Sequence, residues 1–344
     1  MDDGADRGRL LELIGASWTT QVIRTGVELG VMDELAGGPR SVPEVAAVLE
    51  VDPDALERLV RALCSIELCE EVDDGSFAAT ATGRLLARGE GTLGPWATWW
   101  GGPAWEEWGR LPDAVRTGRP VRDGDGFSGR SPELAGRFDD AMAALTAIDA
   151  PRLAAALQLR GDERVADVGG GRGTLLRAVL DRHPDARGLV VDLPSAVAGA
   201  RAQIEAWGLA GRLDVAAVDA FDAVPSGADA YVLKSVLHDW DDEAARQILE
   251  RCQVAAAASD GRVLVIERLT PDRAAATDVA RSTARMDLHM LVAQGGRERT
   301  EAELRAVLAD AGLVVVDVRP ATSTLAVIEA RVARDGAGTP AQAG

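Results

Sequence analysis

The chain has 344 residues, enough for two domains with sizeable cores. With 55 acidic against 37 Lys and Arg side chains its formal charge is -18 and its pI about 4.7, which argues against a nucleic-acid partner held through phosphates. No apolar run is long enough to span a bilayer and no leader pattern follows Met1, so a cytoplasmic protein without a membrane partner is expected.

The apolar positions Leu10, Leu13, Ile14, Trp18, Val22, Ile23, Val27, Leu29, Val31 and Leu35 fall at helical spacing over residues 9–35 and stop at Gly37-Gly38-Pro39. Ser41 and Glu44 form a capping box for a short helix, Asp52-Pro53-Asp54 opens a second, and a hairpin turning at Asp73-Asp74-Gly75 follows over 70–78. Helix, helix and hairpin outline a winged helix. An acidic candidate recognition helix (Asp54, Glu57, with Glu67, Glu70 and Glu71 beyond it) would repel phosphate, so the module is expected to be structural and dimer-forming.

Five of the eight tryptophans, Trp96, Trp99, Trp100, Trp105 and Trp108, crowd one short span. Two readings stand: a core between helices, or walls for a flat aromatic substrate. Residues 119–131, rich in glycine, proline and aspartate, read as a mobile loop, and 138–159 as a helical connector broken at Pro151. The cysteines, Cys64, Cys69 and Cys252, are odd in number and lack metal spacing; reduced core thiols are expected, and no metal.

From Val165 onward strands (164–168, 188–192, 213–219, 230–234, 262–266) alternate with helices (174–182, 195–206, 242–257), the pattern of a parallel sheet with helices on both faces. Helices at 280–293 and 301–311 follow, then apolar runs at 313–318 and 325–330 that could close as an antiparallel pair.

The run Asp167-Val168-Gly169-Gly170-Gly171-Arg172-Gly173 sits where the first of these strands turns into a helix. Glycine there lets a ligand approach the backbone at a helix N-terminus. Thr174 stands where a dinucleotide fingerprint wants glycine or alanine, and no Gly-Lys-Ser/Thr follows, so the turn suits a nucleoside without a pyrophosphate. Asp192, ending the next strand, either accepts both ribose hydroxyls or caps the helix after it. Asp219-Ala220-Phe221 marks a third strand end. Beyond the fourth, which ends in Lys234, the only lysine in the chain, comes His238, one of three histidines and the one expected at this face. It is either a base at the ligand-binding edge or a histidine that satisfies a buried turn. Asp241 is expected as an N-cap, with Asp242 and Glu243 complementing the helix dipole.

Together with Asp192-Leu193-Pro194, Leu237-His238-Asp239-Trp240, Met286-Asp287-Leu288 and Gly295-Gly296-Arg297-Glu298-Arg299-Thr300, the glycine run resembles the S-adenosylmethionine-dependent O-methyltransferases of plant phenolics and, more closely, the bacterial enzymes that tailor aromatic polyketides. The resemblance covers nearly the whole chain. It implies a class I methyltransferase-like α/β fold, a doubly wound sheet behind an N-terminal helical, winged-helix-like dimerisation domain, and a homodimer. The corresponding division is 1–110 for dimerisation, 111–160 as helical connector and substrate-pocket segment, 161–332 as the cofactor-binding catalytic domain, and 333–344 as a flexible tail.

It also implies roles. Gly169 and Gly171, with Asp167 beside them, would lie against the methionine part of the cofactor. Asp192 and Leu193 would meet the ribose, Asp219, Ala220 and Phe221 the adenine, and Lys234 and Ser235 would line the same pocket. His238 would be the general base, oriented by Glu267 and Glu298. Apart from the resemblance, the large apolar side chains Trp99, Trp100, Met142, Met286 and Met290 near the predicted mouth are expected to favour a flat aromatic acceptor, or else to pack as core. Oxygen, nitrogen and carbon acceptors, or hydroxylation, could share the scaffold. A ligand-responsive winged-helix regulator and a nicotinamide-dependent oxidoreductase are the rival readings.

Overall fold

Short apolar runs buried on both sides are what a parallel sheet needs, and the computed structural model, which describes residues 3–73, 75–122 and 130–333, contains one. The chain divides into two compact units: one runs to Gly109 and takes in Asp140–Ile148, the other comprises Arg110–Asp139 and everything from Asp149.

In the first unit, α1 (Asp3–Glu28) and α2 (Val31–Ala36) replace the single expected helix. Gly30 at φ 83 breaks it, a left-handed conformation that an L-residue adopts only with strain. Then follow β1 (Arg40–Ser41), α3 (Val42–Leu49), α4 (Pro53–Ser65), β2 (Cys69–Asp73) and β3 (Ser76–Ala79). The three strands form one sheet in the order β1-β3-β2, so the expected hairpin gains a third strand. The Ser41/Glu44 capping box and the Asp52 cap both form. Asp74, in the turn, lies outside the described residues. The short helices α5 (Ala81–Arg84), α6 (Gly94–Gly101) and α7 (Pro103–Trp108) complete the unit. Its core gathers Met32, Leu35, Leu56, Val60, Leu63 and Phe77. By contrast Leu10, Leu11, Leu13, Ile14 and Trp18 of α1 are 56, 70, 63, 66 and 77% exposed.

After α8 (Leu111–Thr117), residues 123–129 of the expected mobile loop lie outside the described residues. Next comes α9 (Pro132–Ala156), unbroken at Pro151. A proline forfeits one ladder hydrogen bond, and here buried side chains before it (Ala144, Ala150) and after it (Leu153, Leu157) carry the helix through.

The main sheet has the order β6-β5-β4-β7-β8-β10-β9. Its strands are β4 (Arg164–Val168), β5 (Arg187–Asp192), β6 (Leu213–Ala217), β7 (Ala230–Lys234), β8 (Arg262–Glu267), β9 (Leu313–Pro320) and β10 (Ala326–Val332). The first five are mutually parallel, whereas β10 runs antiparallel between β8 and β9, as the expected terminal pair. β6 stops two residues short of the expected 219.

Alternate strand residues face opposite cores. Val165, Val190, Val232, Leu264 and Val327 meet α10 (Thr174–Arg182) and α11 (Pro194–Ala206) on one side. Ala166, Val191, Tyr231, Val263 and Ile328 meet α12 (Asp242–Ala257) and α14 (Glu301–Asp310) on the other. Helix α13 (Asp278–Ala293) precedes a loop that leads into α14. All three cysteines are free; burial pushes the thiols of Cys69 and Cys252 up to about 12, so they remain protonated as expected. Residues 334–344 of the expected tail lie outside the described residues, among which no helix is long and apolar enough to cross a membrane.

Candidate active site

The five parallel strands point their carboxyl ends at one edge, where a doubly wound sheet binds its ligands. That edge is strongly acidic. Asp167 lies near the end of β4, Asp192 ends β5, Asp219 follows β6, Lys234 ends β7 and Glu267 ends β8.

After β4 the chain turns through Gly169, Gly171 and Gly173 at φ 72, 54 and 79. A Cβ on Gly169 would stand 2.7 Å from Val236 Cγ2, so the turn closes against β7's outgoing segment only because that position is glycine. Asp192 fastens the same turn from the side: its Oδ2 accepts from Gly171 N at 2.8 Å and its Oδ1 from Leu193 N at 2.7 Å. It does not cap α11, whose N-cap is Leu193 without a side-chain bond, so the capping alternative is set aside. Burial raises Asp192 against those two amide bonds, and raises Asp167 to about 7 against the pull of Lys234. Lys234 is itself lowered by burial. A buried acid so placed gains its charge back when a cation arrives.

Asp219 Oδ1 accepts from Phe221 N at 2.9 Å, and the Phe221 ring meets Trp240 edge-on at 4.8 Å, with Ala220 between them in sequence. Ser235 takes φ 53, unusual for a residue with a Cβ, and its amide donates to Ile266 O at 2.9 Å. The chain is thereby bent out of β7 into a 3₁₀ turn, Leu237–Asp239, that carries His238. Glu267 Oε1 accepts from Val236 N at 3.1 Å and Leu237 N at 2.9 Å, closing the turn's start.

His238 Nδ1 lies 2.9 Å from Glu298 Oε1 and 3.8 Å from Glu267 Oε2, and its Nε2 is 3.9 Å from Asp239 Oδ1. Burial alone would pull the imidazole down; the Glu267, Asp239 and Glu298 carboxylates together outweigh it and push His238 up to about 10. Burial likewise raises Glu267, and raises Asp239 to about 6, each against the attraction of His238. Donor atoms of His238, Glu267 and Glu298 all fall within 4.8 Å of one another, a spread a small divalent ion could bridge. A 2.9 Å contact between Nδ1 and Oε1 is a hydrogen-bond length and pairs two of these atoms without an ion.

Several neighbours escape a reading by strand ends. Asp287 Oδ1 accepts from Glu298 N at 2.8 Å and so aims that carboxylate. His289, buried on α13, is a second imidazole near His238, which corrects the expectation that His238 stands alone at this face. Burial, with the charges of Arg122, His238 and Arg130, lowers His289 to about 4 and keeps it neutral. Only the helical period of 280–293, which puts His289 on the buried side with Met290, could have signalled it. Asp241 caps α12 as expected, its Oδ1 accepting from Ala244 N at 2.8 Å. Asp242 does more than face the dipole, since Arg299 Nε donates to its Oδ1 at 2.8 Å.

Trp99, Trp100 and Met142 belong to the first unit and Met286 and Met290 to the second. Trp99 is buried at 2% exposure, Trp105 is 41% exposed, and the half-buried Trp100 packs edge-on against Trp96 at 5.4 Å and tilted against Trp108 at 6.3 Å, so of the run only Trp99 is fully enclosed. Met290 is buried and Met286 half-buried on α13.

Two family profiles match this chain: an O-methyltransferase domain over residues 108–314 and an O-methyltransferase dimerisation domain over residues 11–89. Among curated proteins, the mitomycin biosynthesis 6-O-methyltransferase of Streptomyces lavendulae is 34% identical over 320 residues, 88% of each chain. The 2,7-dihydroxy-5-methyl-1-naphthoate 7-O-methyltransferase of Streptomyces carzinostaticus is 37% identical over 333 residues, 90% of this chain and 94% of that one. Among solved structures, human N-acetylserotonin methyltransferase in complex with SAM superposes with a TM-score of 0.86 at 27% identity, over 97% of this chain and 99% of that one.

Proposed function

The chain belongs to the O-methyltransferase family, and from that premise we propose that it moves a methyl group from S-adenosylmethionine to a phenolic hydroxyl of an aromatic natural product in antibiotic biosynthesis, with His238 as general base. One observation carries the reading: an imidazole 2.9 Å from a buried carboxylate, at the same sheet edge as a glycine turn fastened by Asp192.

Asp192 and Leu193 would hold the ribose, Asp219, Ala220 and Phe221 the adenine, and Gly169 and Gly171 the methionine part, with Asp167, Lys234 and Ser235 completing the pocket. The donor set fits a cation, because burial has left Asp167 and Asp192 short of positive charge. When bound, S-adenosylmethionine supplies an electrophilic methyl group on a positively charged sulfur.

What remains for the chain is to ready the hydroxyl. A phenol, with a pKa of about 10 if tyrosine is the guide, is mostly protonated at neutral pH. His238, pushed up to about 10, matches it, so proton transfer between them is nearly level in free energy. In the neutral imidazole, formed once the pair has lost one proton, Glu298 accepts from Nδ1–H and Nε2 is left to take the hydroxyl proton. Glu267, its Oε1 engaged by the turn, balances the imidazolium that results. Met286 and Met290 offer adaptable contacts for a flat acceptor.

The test is to incubate the full chain with methyl-labelled S-adenosylmethionine and a panel of hydroxylated naphthoates and benzoates. Label in an O-methyl ether is the expected product. Absence of S-adenosylhomocysteine binding by calorimetry, or label only on carbon or nitrogen, would overturn the proposal.

We propose further that the chain is a homodimer through its first unit. The dimerisation profile begins at residue 11 within α1, whose Leu10, Ile14 and Trp18 recur at helical spacing and are more than half exposed. Placing aspartate at both Ile14 and Trp18 is expected to halve the mass seen by sedimentation equilibrium. A wild-type chain that sediments as a monomer contradicts the idea.

A further inference from the structure

A three-residue 3₁₀ turn has almost no internal ladder to fix its rotation, yet His238 sits on one, Leu237–Asp239. Its carbonyls are taken by donors from a single stretch of the loop before α14. Arg297 N donates to His238 O at 2.9 Å. Arg299 Nη1 donates to Leu237 O and Nη2 to Trp240 O, each at 2.8 Å, while Nε reaches Asp242 Oδ1 at 2.8 Å. All three guanidinium nitrogens are therefore committed, and Arg299 is 3% exposed. The close fit is visible at Gly296, where a Cβ would lie 2.1 Å from His238 O. Between the two donors in sequence stands Glu298, the partner of His238 Nδ1.

Accepting His238 as the base, we propose that Arg299 is a positioning residue for the methyl transfer: it locks both flanks of the histidine turn to the residue beside Glu298 and thereby sets the 2.9 Å separation of Nδ1 and Oε1. Asp242 is the outer anchor of the same guanidinium. A planar fork is required, since a lysine ammonium cannot meet two carbonyls and a carboxylate from one side-chain direction. The groups that face His238 are Glu267 from β8, Asp239 from its own turn, Glu298 from the loop and His289 from α13, with Arg122 and Arg130 beyond. Neither substitution below alters any of them.

Arg299→Lys and Asp242→Asn, made in the full chain, separate this role from mere support of the fold. Arg299→Lys is expected to lower kcat by at least about tenfold with the cofactor Kd within about twofold of wild type. It also moves the rise of kcat/KM with pH to lower pH, because an imidazole drawn away from Glu298 loses its proton earlier. Asp242→Asn, whose side chain is 57% exposed and not needed by the core, shifts the profile in the same direction by less. Should Arg299→Lys fail to show a cooperative thermal transition, Asp242→Asn decides. Activity lost without a shift of the profile, or a wild-type profile in both variants while His238→Gln is inactive, overturns the role of Arg299 alone. Wild-type turnover in His238→Gln removes the base and this inference together.

Discussion

His238→Gln is expected to lower turnover by about 10²–10⁴-fold while leaving the affinity for S-adenosylhomocysteine within about twofold of wild type. Glutamine is the sharper probe than alanine. Glu298 Oε2 and Glu267 Oε2 are already buried without a hydrogen-bond partner, and removing the imidazole altogether would strand Glu298 Oε1 as well. A buried carboxylate left unpaired costs several kcal/mol, about 3–5 by the usual measure of a broken buried pair, and would confuse loss of a base with loss of fold. Glutamine can still donate to Glu298 but cannot take up a proton.

The pH dependence gives a second readout of the same residue. His238 is raised above its ordinary value, so at neutral pH the imidazole is largely protonated, and the phenol–imidazole pair must lose one proton before methyl transfer. Activity therefore rises with pH up to about 10 in the wild type, the value to which His238 is raised. In the glutamine variant only the ionisation of the phenol itself remains, near pH 10 if tyrosine is the guide, so its profile rises over the same range and the two proteins differ in height. Stopped-flow or initial-rate profiles of kcat/KM for both proteins decide the matter; equal turnover in the two leaves catalysis to positioning.

Asp192→Ala is the second large effect. The Asp192 carboxylate is bound to the amides of Gly171 and Leu193, so its loss loosens the glycine turn in addition to deleting the acceptor proposed for the ribose. Two hydrogen bonds to a charged group contribute about 1.5–3 kcal/mol each, which corresponds to weaker cofactor binding by about 10²–10⁴-fold. Asp192→Asn keeps one acceptor oxygen and falls between. Titration calorimetry with S-adenosylhomocysteine gives the constants directly, and kcat at saturating cofactor should change little because His238 is untouched. Undiminished affinity in the alanine variant would move the ribose away from β5.

The sheet was legible because β4, β5, β7 and β8 are buried on both faces and so read as short apolar runs, those of β5, β7 and β8 ending in a charged residue and that of β4 carrying Asp167 one place before its end. Asp192 could be singled out as a charged group at a strand end, and His238 as a histidine in the turn that follows one. Glu267 and Glu298 came only through family resemblance, since nothing in the spacing of residues 238, 267 and 298 announces that their side chains converge. His289, Asp287 and Arg299 stayed hidden because a buried histidine, an acid on a helix and an arginine in a loop look ordinary until the chain is folded. Pro151 misled for the opposite reason: a strong local signal was overridden by buried packing on either side of it. The tryptophans gave the amount of aromatic surface but not its destination.

The position of β10 carries a consequence for assembly. Although it is translated after β9, it occupies the interior slot, with β8 on one flank and β9 on the other. A nascent polypeptide therefore cannot attach β9 to the growing sheet in order of synthesis; the outermost strand must wait for its successor. Any chain interrupted between the two would expose the naked edge of β8, the strand that presents Glu267, and would invite a foreign strand to take the empty place.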